Sequence, residues 1–402
     1  MRIRTLAISF VTSLPLFLAF APPQQDKKKE EICPWCKNDP KLLEASGSVT
    51  HSPIQFGKKT NDEIAKRLPG PRWLFLETKH IKFGSNLGPE SIPLNERARI
   101  EAELERLRKA FPNIPKKVAQ LDPWLRLHLM AAKTEEYYVR FQKILNVKDA
   151  DFPASRQATG KFMGDGLYLG EREKFEILTH VDRKTHSLFT EDNMGARATD
   201  ALRWHFKDPH RLSVSIAAVD DLISDKYLFP HVIHNAVHLW FCAYKHFSFD
   251  PPVWLDEGLA HYLELETSKD LNITFCSDEG AGPERERSRD YLSAAKTLID
   301  KNKATPLAEL LRRGTFADLK KEDHITAYAK VRFLAEAHAE KFAQFLGEVK
   351  GQLDDRGYPS GKDLPGLQRK LFKELWNWTS EQFDTESEAW IKKEAARLAV
   401  AK

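Results

Sequence analysis

One stretch, His231 to Glu264 (HVIHNAVHLWFCAYKHFSFDPPVWLDEGLAHYLE), constrains the chain more than any other. It predicts two helices joined by a short loop that Pro251 and Pro252 close. On the first helix His234 and His238 stand at i and i+4, so their side chains lie on one face, where two imidazoles can converge on one cation. On the second, Glu257 follows Trp254, Leu255 and Asp256. The 18 residues between His238 and Glu257 are enough to finish one helix, turn, and bring a carboxylate back across it. Two histidines and a glutamate with a fourth position left open form the ligand set of a catalytic zinc. His231 falls within about 60° of both histidines on the helical wheel, as an extra ligand or a supporting group. Trp240, Trp254, Leu255, Leu259 and Leu263 are expected to pack the two helices together.

The pattern His-x-x-x-His, 18 residues, then Glu inside WLDEGLAHYLE resembles the gluzincin metallopeptidases, above all their aminopeptidase and peptidase MA-like branch. The resemblance implies an α+β fold: a gluzincin-like (thermolysin-like) core whose small mixed β-sheet packs on the metal helices, followed by a mostly α-helical C-terminal subdomain. It implies zinc on His234, His238 and Glu257, and a peptide or protein ligand lying extended in the cleft against an edge strand. The segment RLSVSIAAV, just before the metal helix, occupies that strand's place in the chain. In related enzymes a Tyr or His of the helical subdomain steadies the oxyanion, a role for which Tyr328 and His324 are the candidates. His261, at i+4 from Glu257, stands where gluzincins place an acid that supports a histidine ligand.

One position departs from the family. The gluzincin motif is His-Glu-x-x-His, and its Glu takes the proton from the attacking water. Here that position is Asn235, nearly the same shape but unable to accept a proton. The resemblance therefore implies a zinc-binding homologue in which peptide hydrolysis is weak or absent. Two rival readings stay open. In one the chain is a working zinc metallohydrolase whose base is Asp256, Glu264 or a residue of the helical subdomain, although Asp256 turns about 100° away from Glu257 on a helix. In the other, the histidines and Glu257 form a buried hydrogen-bonded cluster without metal.

The charge balance excludes one class of partner. With 62 basic and 58 acidic residues the net charge is +4, and no basic cluster stands out beyond Lys27 to Lys29, so nucleic acid is not expected. Arg2 and Arg4 precede an apolar run from Leu6 to Ala21 that ends in the small-x-small pattern Ala19-Phe20-Ala21, which reads as a secretory signal peptide over residues 1–21. Pro22 disfavours cleavage there, which leaves a cut elsewhere or an N-terminal anchor as the alternatives. The run is short for a span, which needs about 20 residues, and no later segment is long and apolar enough. The expected location is outside the cytoplasm, secreted or periplasmic.

Residues 22–70 read as a linker and an N-terminal extension that carries Cys33-Pro34-Trp35-Cys36. A Cys-x-x-Cys can be half of a zinc knuckle, a redox pair or a structural disulfide. With no second cysteine pair and no thioredoxin-like frame around it, a Cys33–Cys36 disulfide is the preferred reading; His51 is isolated and has no assigned role. Cys242, one turn past His238, is a small core residue. Residues 71–270 form the α+β domain. Its elements are a strand arm over Arg72 to Gly84, a helix from Asn95 to Phe111, and a helix from Asp122-Pro123 to Leu145. A buried strand in KFEILTH and a half-buried one in RLSVSIAAV follow, the latter because Leu212, Val214 and Ile216 alternate with serines. Phe229-Pro230 places a proline at the opening of the metal helix. Residues 271–402 are the helical subdomain, with a solvated loop over Ser277 to Asp290. Its final helices carry Trp376, Trp378 and Trp390 toward the core, behind caps at Thr379 and Thr385.

Overall fold

The computed structural model describes residues 32–154, 162–208, 210–267 and 290–400. The expected leader, the linker to Glu31, the expected loop from Ser277 to Arg289, and Cys276 lie outside them. In chain order the elements are α1 (Pro40–Ala45), β1 (Ser48–Thr50), β2 (Gln55–Phe56), β3 (Lys59–Thr60), α2 (Asn61–Arg67), β4 (Leu74–Thr78), β5 (Ile81–Ser85), β6 (Glu90–Ser91), α3 (Arg97–Ala110), β7 (Gln120–Leu121), α4 (Pro123–Leu145), β8 (Phe175–His180), α5 (Arg183–Met194), β9 (Leu202–Phe206), β10 (Arg211–Ala217), α6 (Asp225–Ala243) and α7 (Val253–Thr267). Six further helices follow: α8 (Tyr291–Asp300), α9 (Leu307–Leu310), α10 (Lys321–Ala337), α11 (Ala339–Val349), α12 (Leu364–Trp376) and α13 (Ser380–Val400). The class is mixed α+β, a small mixed sheet with a helical C-terminal part.

The sheet has the order β1-β4-β5-β8-β10-β9. The pairs β5–β8 and β8–β10 are parallel and the others antiparallel. β1, from the N-terminal extension, is therefore built into one edge of the sheet. Registration puts Phe83, Ile177 and Val214 side by side on one face, in the main core with α4 and α6. Leu178, one residue on, points to the other face, where Trp73 and Phe75 meet Phe189 and Met194 of α5.

Because both faces are covered, the half-buried strand expected at residues 211–217 is corrected: all seven residues of β10 are buried. Its serines are buried rather than facing water, and the Ser215 hydroxyl sits 2.8 Å from Nε2 of His180 and 2.9 Å from Nδ1 of His186 on α5. The expected edge position is corrected as well, since β9 lies outside β10 and ends the sheet.

Local chemistry accounts for most helix limits. Asp122 caps α4 by accepting from the amides of Trp124 and Leu125, Pro123 fits the first turn, and Asn146 ends the helix in the left-handed region at φ 52°. α3 buries the stripe Ile100, Leu104, Leu107. α6, however, starts at Asp225, so Pro230 lies inside the helix rather than at its opening. Burial of Leu228 and Phe229 holds the extra turn in place although Pro230 supplies no N–H.

In the helical part α10 packs directly on α7. Gly258 makes the crossing close: a Cβ there would stand 2.5 Å from Val331 Cγ2 and 2.9 Å from the Ala327 carbonyl oxygen. Trp376 stacks on Trp378 with ring centroids 5.6 Å apart, and Trp390 meets Phe333 at 5.7 Å, so these aromatics are packing. Thr379 caps α13, whereas Thr385 lies inside it and bonds back to the Glu381 carbonyl. Among the described residues no helix is long and apolar enough to cross a membrane.

Candidate metal centre

α6 and α7 cross so that His234, His238 and Glu257 meet. Nε2 of His234 and Nε2 of His238 are 3.0 Å apart. Glu257 Oε1 is 3.4 Å from Nε2 of His238, and Oε2 is 3.9 Å from Nε2 of His234. Donor atoms around one tetrahedral zinc, each about 2.0–2.1 Å from it, stand about 3.4 Å from one another, so the spacing matches. All three residues are buried.

What lies behind the histidines fixes their protons. Asp256 Oδ2 is 2.7 Å from Nδ1 of His238, and Glu264 Oε2 is 3.1 Å from Nδ1 of His234. A carboxylate accepts, so each Nδ1 carries the hydrogen and each Nε2 presents a lone pair. Two lone pairs then face each other across 3.0 Å in a buried site. Only a cation, or a proton shared between them, satisfies that arrangement. Carboxylates behind ligand histidines are also what metal sites use to orient the ring and raise its basicity. Burial holds His234 well below its ordinary range, with His238 and His261 beside it adding to the effect. Burial alone would raise the Glu257 carboxyl, but the imidazoles of His238, His324 and His234 outweigh it and keep Glu257 ionised. A neutral imidazole at His234 and an ionised carboxylate at Glu257 are donor states a metal needs.

The other anticipated residues distribute around this core. His261 joins it: its Nδ1 is 3.2 Å from Glu264 Oε2, its Nε2 is 3.2 Å from Nδ1 of His324, and burial, then His324, pushes its pKa down to about 3. His324 of α10 reaches Glu257 Oε2 at 3.5 Å, so His234/His261/Glu264 and Glu257/His261/His324 are further groups able to hold an ion. Of the two oxyanion candidates, then, His324 stands at the centre. Tyr328, one turn later, accepts from Arg332 at 3.1 Å and packs on Tyr291. Among the described residues His231 falls in none of the groups able to hold an ion; its Nε2 lies 3.3 Å from the Asn235 amide nitrogen. That nitrogen also donates to the His231 carbonyl at 3.1 Å, and Asn235 Oδ1 accepts from Arg203 at 3.4 Å. Asn235 is thus tied down by hydrogen bonds. Asp256, expected as a supporting group and also weighed as a substitute base, is engaged with His238. Glu264, weighed only as a base, supports His234; its place two turns after Glu257 and one after His261 carried that signal.

The expected Cys33–Cys36 disulfide is corrected: both are free, buried thiols. Each sulfur faces a different histidine, Cys33 Sγ standing 3.4 Å from Nε2 of His128 and Cys36 Sγ 3.0 Å from Nε2 of His51. These four residues form a second buried group able to hold an ion.

A cleft of about 350 Å³ opens onto the centre. Arg203 and Trp204 of β9 form one wall, Thr315 and Phe316 another, and His238 and Glu257 lie between them. The chain matches no protein-family model and no curated protein.

Proposed function

We propose that this is a gluzincin-like zinc protein whose ion sits on His234, His238 and Glu257, and whose cleft takes an extended peptide while hydrolysing it weakly or not at all. The observation that carries the metal is the pair of Nε2 lone pairs 3.0 Å apart, each on a ring whose Nδ1 faces a carboxylate. When bound, zinc polarises a carbonyl and acidifies water. The chain's own residues supply the rest. β9 ends the sheet beside the centre and offers its outer edge to an extended backbone, the mode in which a peptide adds a strand. Asn235 holds its hydrogen-bonded place without being able to take a proton, and Asp256 and Glu264 are occupied behind the histidines. The apolar run after Arg2 and Arg4 supports export from the cytoplasm.

Metal analysis of the purified protein beside His238→Ala tests the reading. The expected result is one zinc fewer per chain in the variant. Equal zinc in both would end it and favour the shared-proton, metal-free cluster.

A further inference from the structure

We propose that Cys33, Cys36, His51 and His128 form a second, closed zinc site that fastens the N-terminal extension to the body of the protein. Their four ligand atoms lie within 4.8 Å of one another. In a tetrahedral Cys2His2 zinc site, with zinc–sulfur near 2.3 Å and zinc–nitrogen near 2.0–2.1 Å, neighbouring ligand atoms stand about 3.3–3.8 Å apart. The observed sulfur–nitrogen separations of 3.4 and 3.0 Å come close to that with no movement of the backbone.

The surroundings are those of a built site. The Cys-Pro-Trp-Cys turn is closed by the Lys37 amide donating to the Cys33 carbonyl and the Asp39 amide donating to the Cys36 carbonyl, each at 2.8 Å. Lys37 and Asn38 adopt φ 52° and 56°, a left-handed pair that curls the chain back around the Cys36 sulfur. Trp35 Nε1 donates to Asp122, the cap of α4, at 3.0 Å, and Asn113 donates to the Pro34 carbonyl at 3.0 Å, so the turn is docked on the helix that carries His128. His51, directly after β1, gives its Nδ1 hydrogen to the Phe75 carbonyl at 2.7 Å, which leaves the lone pair of Nε2 aimed at Cys36. The four residues are 0, 0, 8 and 2% exposed. That burial separates the site from two other uses of Cys-x-x-Cys. A redox pair needs a sulfur that a partner can reach, and a catalytic metal needs an open position, whereas here four ligands close the shell. Two cysteines and two histidines are one of the ligand sets of a structural zinc site.

The test uses the whole chain. Purified protein is expected to hold one zinc that Cys33→Ser/Cys36→Ser loses and His238→Ala retains. Reconstitution with Co²⁺ is expected to give a near-ultraviolet thiolate-to-cobalt band in the wild type and in His238→Ala. The His234, His238, Glu257 centre contains no sulfur, so this band reports the cysteine site alone and stands or falls independently of the proposed function. Should the cysteine variant fail to fold, the wild-type band still decides. No band in the wild type, iron in place of zinc, or a Cys33–Cys36 disulfide found in the unreduced protein would each overturn the proposal.

Discussion

The two clusters solve the same electrostatic problem in opposite ways. At the centre between α6 and α7 the ligands bring one negative charge, Glu257, and two more carboxylates, Asp256 and Glu264, stand behind the histidines, so most of the charge facing a divalent ion would come from outside its ligand shell. At the cysteine cluster the two sulfurs bring the full charge themselves, and the group behind His51 is a neutral backbone carbonyl. The first arrangement faces a cleft and the second is closed. Negative charge kept off the ion leaves a position open and the metal electrophilic, as binding a substrate carbonyl requires. Charge delivered directly by thiolates satisfies the ion and holds segments together.

The largest effect that would sharpen this contrast is at Asn235. Asn235→Glu restores a proton acceptor beside the open cluster and is expected to raise chelator-sensitive cleavage of a fluorogenic peptide library by about 10²–10⁴-fold. Parent protein already as active as the variant would show that a base exists elsewhere. Next comes the closed cluster. Cys36→Ser is expected to lower unfolding stability by about 4 kcal/mol, the range reached when a structural metal is lost, as measured by urea denaturation. Chelator should still destabilise His238→Ala, whose remaining ion is the structural one; if it does not, the division of labour is wrong. Asp256→Asn should weaken zinc binding at the open cluster by about 10–100-fold in competition with a coloured chelator, while leaving the cobalt–thiolate band unchanged.

A last test is a control away from both clusters. Burial pushes Glu176 up to about 7, although Lys82, the Gly57 amide and Arg211 pull the other way. The folded state therefore holds a proton that the unfolded state releases near the ordinary 4.5. Stability from this group is present at acid pH and falls as pH rises from about 4.5 to about 7. Glu176→Gln should flatten that slope in metal-free protein, compared by urea denaturation at the two ends of the window. An unchanged slope would place the titrating group elsewhere.

The open cluster was legible in the sequence because its ligands sit on two consecutive helices, where a period of 3.6 residues and a short loop fix their geometry. The closed cluster was not. Cys33 and His128 are 95 residues apart, and no local spacing connects a turn, the end of β1 and the second turn of α4. Absence of a second cysteine pair pointed to a disulfide, when two histidines from elsewhere in the chain completed the set. β10 was misjudged for a different reason: alternation of Val and Ile with Ser looks the same whether the serines meet water or buried His180 and His186. Pro230 misled because proline favours a helix opening locally, and tertiary burial of Leu228 and Phe229 extended the helix past it.

α4 runs unbroken from Pro123 to Leu145, and this ties the two ends of the molecule's chemistry together. Ten residues beyond His128, about 15 Å along the axis, Tyr138 stands edge-on to Trp240, with ring centroids 5.5 Å apart, only two positions after His238. The rod works as a strut. Whatever clamps its beginning also sets the angle at which its far half leans on the helix of His234 and His238. The turn from Cys33 to Cys36, docked on the cap of this helix through Trp35 and Asp122, is thus part of the jig that holds a pair of imidazoles in alignment two hundred residues later.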